Sequence, residues 1–80
     1  MILCQICSFE TGETIIAKID DLCPAYEVIK NIANLFCVDQ DGRMGNLFSC
    51  KRKGVINYEL SLFQQGVRNA DRLIYIKGGE

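Results

Sequence analysis

Ile2, Cys4 and Ile6 alternate along the chain with Leu3, Gln5 and Cys7, and a period of two marks a strand whose successive side chains point to opposite faces. The run closes on Ser8-Phe9-Glu10-Thr11-Gly12-Glu13-Thr14, where Gly12 supplies the positive φ of a tight hairpin loop. Ile15, Ala17 and Ile19 then resume on one face. A β-hairpin is predicted over this stretch. Asp20 and Asp21 follow, then Cys23-Pro24; proline suits the first turn of a helix, and the two aspartates suit its positive end. From Ala25 the period lengthens. Ala25, Val28, Ile29, Ile32, Ala33 and Phe36 recur at helical spacing, with Glu27, Lys30, Asn31 and Asn34 on the other side, so one face of the helix is built to lie on a sheet.

Beyond the helix, Asp39-Gln40-Asp41-Gly42-Arg43-Met44-Gly45 is a polar loop with two aspartates. A calcium loop of the EF-hand kind needs an oxygen ligand where Arg43 stands, glycine where Met44 stands and a bidentate glutamate where Cys50 stands, so a solvated loop is expected instead. Residues 47–51 and 55–58 read as two short strands joined through Arg52-Lys53-Gly54, with the glycine at the reversal. From Leu60 a compact turn anchored by Leu60, Phe63 and Val67 leads through Asn69-Ala70-Asp71 into a last strand, residues 72–77. In that strand Leu73, Ile74, Tyr75 and Ile76 are all apolar, which leaves neither face polar. Half of these side chains must face away from whatever the other half packs on.

The element order predicts an α+β chain, one helix across a mixed sheet, as a single domain over residues 1–80. It resembles the β-grasp fold of ubiquitin. Thr11-Gly12-Glu13-Thr14 is similar to the first ubiquitin turn, and Leu60, Gly66, Val67, Asp71, Arg72, Leu73 and Tyr75 fit its final turn and strand. A narrower resemblance is to the YukD/EsaB family, small ubiquitin-like proteins that accompany the type VII secretion systems of Gram-positive bacteria. It rests on "CPAYEVIKNIA" (23–33), "GNLF" (45–48) and "LSLFQQGVRNADRLIYI" (60–76). The resemblance implies a five-stranded sheet with the last strand between the first and the third. If Leu73 and Tyr75 then point to the helix, Ile74 and Ile76 point away from it. Leu3, Leu47 and Lys51 are expected on that outer face, giving an apolar patch of Leu3, Leu47, Ile74 and Ile76 rimmed by Lys51 and Gln5. In ubiquitin this face docks partner proteins, so the resemblance implies a cytoplasmic, noncatalytic protein-binding accessory of a secretion machine. The competing readings are an alternation shifted by one residue, or long polar side chains that cover these residues.

Charge and composition remove other classes. Nine Lys and Arg against ten Asp and Glu argue against general nucleic-acid or acidic-membrane affinity, and Lys51-Arg52-Lys53 has no aromatic interleaving to support it. No apolar run approaches the length of a membrane span, and Met1 is followed by a strand pattern rather than a basic, cleavable leader, so no direct membrane insertion or export is expected. Five cysteines at unpaired spacings fit a reducing compartment, and Cys4 and Cys7, three apart on a strand, point to opposite faces, beyond a shared metal or disulfide. Neither cofactor nor metal is therefore expected. Histidine is absent, which removes the commonest general base and metal ligand and leaves Ser and Cys without a catalytic partner. The tail Lys77-Gly78-Gly79-Glu80 supports a rival reading, a covalent modifier or sulfur carrier activated at a diglycine. Against it, Glu80 would have to be removed, and the glycines follow the strand too directly to form an extended tail.

Overall fold

The computed structural model describes residues 1–36 and 45–78. Residues 39–44 of the loop weighed as a calcium site, Cys37, Gly79 and Glu80 lie outside the described residues. The chain runs β1 (Ile2–Ser8), β2 (Thr14–Ile19), α1 (Ala25–Leu35), β3 (Asn46–Ser49), β4 (Gly54–Val55) and β5 (Arg72–Ile76). The five strands form one sheet in the order β2-β1-β5-β3-β4. The last strand lies in its middle, parallel to β1 and antiparallel to β3, as the resemblance to ubiquitin implied.

The first hairpin forms as its alternation predicts, with Gly12 at φ 75 in the turn. Cys4, Ile6, Ala17 and Ile19 point inward, and α1 lays Ala25, Val28, Ile29, Ile32 and Ala33 over them. The core is completed by Leu47, Ile56, Leu62, Val67, Leu73 and Tyr75. Phe36, at the end of the helix, stacks on Tyr75 with ring centroids 5.9 Å apart. Gly45 opens β3 where no side chain fits: a Cβ there would stand 2.6 Å from the Ile76 carbonyl oxygen and 2.6 Å from the Tyr75 hydroxyl. Tyr58 donates its hydroxyl to the Gly45 carbonyl at 3.0 Å.

Ahead of the helix, Asp20 accepts the Leu22 N–H at 2.9 Å, and Asp21 pairs with the N-terminal ammonium at 3.4 Å. Four local expectations are corrected. Pro24 occupies the cap position, and the first helical N–H groups, of Ala25 and Tyr26, donate to the carbonyls of Leu60 and Tyr58. The second hairpin reverses at Lys53, whose φ is 57, rather than at Gly54, which already belongs to β4. β4 is correspondingly only two residues long. The final compact turn is anchored by Leu62 and Val67, both fully buried, while Leu60 and Phe63 stay exposed, with Arg68 stacked over the Phe63 ring.

Gln65, buried within that turn, ties the segments together through one amide. Its Oε1 accepts the Asn57 N–H at 2.7 Å and Arg52 Nη1 at 3.3 Å, and its Nε2 donates to the carbonyls of Asn57, Leu60 and Ser61 at 2.9, 3.3 and 3.3 Å. Because Leu60 in turn receives the first N–H of α1, the amide also supports the start of the helix. Gln65→Leu strips the part-buried Asn57 N–H and these carbonyls of a partner, so it is expected to lower stability by about 1 to 3 kcal/mol in urea denaturation.

Candidate functional site

α1 covers one face of the sheet, and among the described residues no element covers the other. Residues paired across neighbouring strands share a face, so the register identifies what lies there. One row crosses the whole sheet as Thr14, Cys7, Ile74, Phe48 and Val55. On one side of it Ile76 pairs with Asn46, and Phe9, whose N–H donates to the Tyr75 carbonyl at 2.9 Å, is 74% exposed. On the other side lies the row Ile16, Gln5 and Arg72, and beyond it the pair Lys18 and Leu3. The apolar surface therefore has two parts. Phe48, Val55, Ile74 and Ile76, with Cys7, form the larger, and Leu3 with Ile16 form the smaller, separated by Gln5 and Arg72.

Of the six residues expected to form the site, Leu3, Gln5, Ile74 and Ile76 lie on this outer face. Leu47 does not. It pairs with Tyr75, points to the helix and is fully buried, and its neighbour Phe48 pairs with Ile74 on the outside. The two residues are adjacent and both apolar, so which one faces out is decided by the β3–β5 register, a pairing between distant parts of the chain. Lys51 lies beyond the end of β3, in the turn that leads to β4, with its ammonium 4.0 Å from an Asp71 carboxylate oxygen. Phe48 and Val55 were missed for the same reason of register. Ile16 was legible, because assigning Ile15 and Ala17 to the inside sends it outward.

The outer face is cationic at the end where β5 begins. Lys18 and Arg72 stand there, and Lys51, in the turn beyond β3, is paired with Asp71. Arg52 is turned away from the face by its contact with Gln65. Cys4 and Cys7 do lie on opposite sides of the sheet: Cys4 is buried under the helix, and Cys7 is half-exposed in the central apolar row. Burial, and then the charge of Asp71, pushes the Cys4 thiol up from the ordinary value of 9.0 to about 11. Among the described residues no group of three or more His, Cys, Asp or Glu side chains is placed to hold a metal ion, and no helix is long and apolar enough to cross a membrane.

No protein-family model matches the chain, and none of the curated proteins does. Solved structures do match. The chain superposes on a ubiquitin of Caldiarchaeum subterraneum with a TM-score of 0.76 at 12% identity, covering 99% of this chain and 95% of that one. A chain of the crystal structure of ATBAG1 in complex with HSP70 gives a TM-score of 0.77 at 14% identity; 96% of this chain is covered, but it spans only 40% of that chain. A chain of the toluene 4-monooxygenase HD complex with the inhibitor 4-bromobenzoate gives 0.76 at 7% identity over 96% and 98%. At such identities the likeness establishes the fold alone: a ubiquitin-like β-grasp with a mixed five-stranded sheet and one helix.

The register has a direct consequence for stability. Leu47→Ala, which empties a closed part of the core, is expected to cost about 2 to 5 kcal/mol. Phe48→Ala, which trims a side chain that keeps only part of its surface in water, is expected to cost less, about 1 to 2 kcal/mol. Denaturant titrations of both variants measure the difference, and equal costs would contradict the register.

The Cys4 thiol supplies a second check. Its pKa is raised in the folded state, so the unfolded chain loses that proton first as the pH rises. Stability is therefore expected to fall between about pH 9 and about pH 11 in the parent and to fall less in Cys4→Ala, as measured by thermal melts across that window.

Proposed function

We propose that this protein is a noncatalytic ubiquitin-like binding module that docks the uncovered sheet face onto a protein partner, as a cytoplasmic accessory or regulatory component of a type VII secretion machine. The observation that carries the binding reading is the outer side of β5. Ile74 and Ile76 lie there beside Phe48 and Val55, with no element of the described chain above them. Apolar surface left open in this way costs free energy that a partner can recover, at about 1.5 to 3 kcal/mol for each large side chain fully buried. The rigid sheet adds a second advantage, because side chains held by ladder hydrogen bonds lose little freedom on docking. Lys18, Lys51 and Arg72 at one end would set the orientation of an acidic partner surface.

A chain of the same fold in a complex with HSP70 is consistent with protein binding by this architecture. The secretion assignment rests on the resemblance of 23–33, 45–48 and 60–76 to the YukD/EsaB family. The noncatalytic reading rests on the chain's lack of histidine, which leaves Ser and Cys, Cys7 on this face included, without the commonest general base.

The test is a pull-down from a Gram-positive bacterium that carries such a secretion system, with Ile74→Asp and Phe48→Asp beside the parent. The parent is expected to retain a subunit of the machine, and each variant to retain at least about tenfold less, the equivalent of 1.4 kcal/mol. Equal recovery would remove the outer face from the reading. Covalent adducts at Gly79 after incubation with ATP and extract, with loss of Glu80, would replace it with a modifier or carrier.

A further inference from the structure

At the start of α1, residues 21–26 and 58–63 run side by side in opposite directions. Phe63 donates its N–H to the Asp21 carbonyl at 2.8 Å, Ala25 to that of Leu60 at 3.0 Å and Tyr26 to that of Tyr58 at 3.2 Å, with an antiparallel bridge between Pro24 and Ser61. Four large side chains of these two segments stay in water: Leu22 is 71% exposed, Phe63 48%, Leu60 40% and Tyr26 37%. The backbone bonds hold them together as one apolar platform, and a contiguous patch of a few hundred Å² on a small monomer is often a contact surface. None of its residues belongs to the outer sheet face.

The charges around the platform are of both signs but are held differently. Arg68 lies over the Phe63 ring, 4.2 Å from its centroid, and donates Nη1 to the Phe63 and Val67 carbonyls at 3.0 Å each. Lys30 lies over the Tyr26 ring at 5.8 Å, and Arg52 is directed to Gln65. Among the acids, Asp21 is paired with the N-terminal ammonium and Asp71 with Lys51. Asp20, Glu27 and Glu59 make no ion pair among the described residues. Asp20 precedes Leu22 at one end of the platform; Glu27 and Glu59 stand at the other, where Tyr26 meets Tyr58. Their field is felt between the ends: burial, and then the charges of Asp20, Glu27 and Asp21, push the Cys23 thiol up from its ordinary value.

We infer that this platform is a second docking site, which takes a basic amphipathic helix of a partner protein. Apolar side chains of that helix cover Leu22, Leu60 and Phe63, and its lysines or arginines pair with Asp20 at one end and with Glu27 and Glu59 at the other. The occupant is a helix because the N–H groups of Ala25, Tyr26 and Phe63 already bond within the platform, which leaves recognition to side chains. A helix with apolar residues every three or four positions presents them as a row on one face. The unpaired carboxylates select its sign, since an acidic segment or an anionic lipid surface would be repelled by them. The outer sheet face, with Lys18 and Arg72 at one end, favours the opposite charge, so the two surfaces sort their partners by sign.

The experiment titrates the full ¹⁵N-labelled chain with a blocked helical peptide that carries leucine at every third or fourth position and lysine on either side of that row. Amide shifts at Leu22, Tyr26, Leu60 and Phe63 are expected. Leu22→Ser, made at an exposed position, and the double variant Glu27→Lys with Glu59→Lys are each expected to weaken binding at least about tenfold, and Ile74→Asp to leave it within about twofold. Unchanged binding by Leu22→Ser or by the double variant, equal binding of the same peptide with glutamate for every lysine, shifts confined to Phe48 and Ile74, or no shift at millimolar peptide would overturn the inference. So would shifts at Leu22 and Phe63 that grow with protein concentration alone, because the platform would then belong to a second copy of the chain. The outer face is tested separately, by the pull-down with Ile74→Asp.

Discussion

One helix cannot cover both sides of a sheet, and the organisation of this protein follows from that. β5 sits in the middle, apolar on both faces, with Leu73 and Tyr75 beneath α1 and Ile74 and Ile76 on the open side. A central strand usually has a layer on each side when both its faces are apolar. Among the described residues only one layer is supplied. The inner side is closed to near completion, from Ile6 and Ile29 to Leu47 and Leu73, so the core has no need of the outer residues.

How much of this could be read in advance depended on the distance over which each feature is determined. The first hairpin and the helix were legible because their signals are local: a period of two around a glycine turn, then a longer period after Pro24. The position of β5 followed from family resemblance, and its two apolar faces followed from four consecutive side chains. The parity of β3 was not legible. Leu47 and Phe48 are adjacent and equally apolar, and only pairing with Tyr75 and Ile74 separates the buried one from the exposed one. The same holds at the helix start, where the partners of Ala25 and Tyr26 come from Leu60 and Tyr58, and in the last turn, where packing selects Leu62 over Leu60 and Phe63. A local reading gives such residues the right character and the wrong direction.

On the function proposed, the outer face presents side chains on a fixed lattice, so its selectivity comes from shape, apolar area and the cations at one end. A partner could engage it without displacing a residue of the core, because the buried cluster lies wholly on the helix side.

The central place of β5 also governs how the molecule comes into being. β1 is translated first and β5 last among the strands, yet the two lie side by side, and β3 reaches β1 only through β5. While the chain is still growing on a ribosome, the hairpin and the helix have only a partial core to settle on. Sheet closure must wait for residues 72–76, and the loop entropy of joining such distant segments is met in a single late step. Until residues 72–76 join, the apolar stripe of α1 and the inward side of the hairpin have no complete core to close over them.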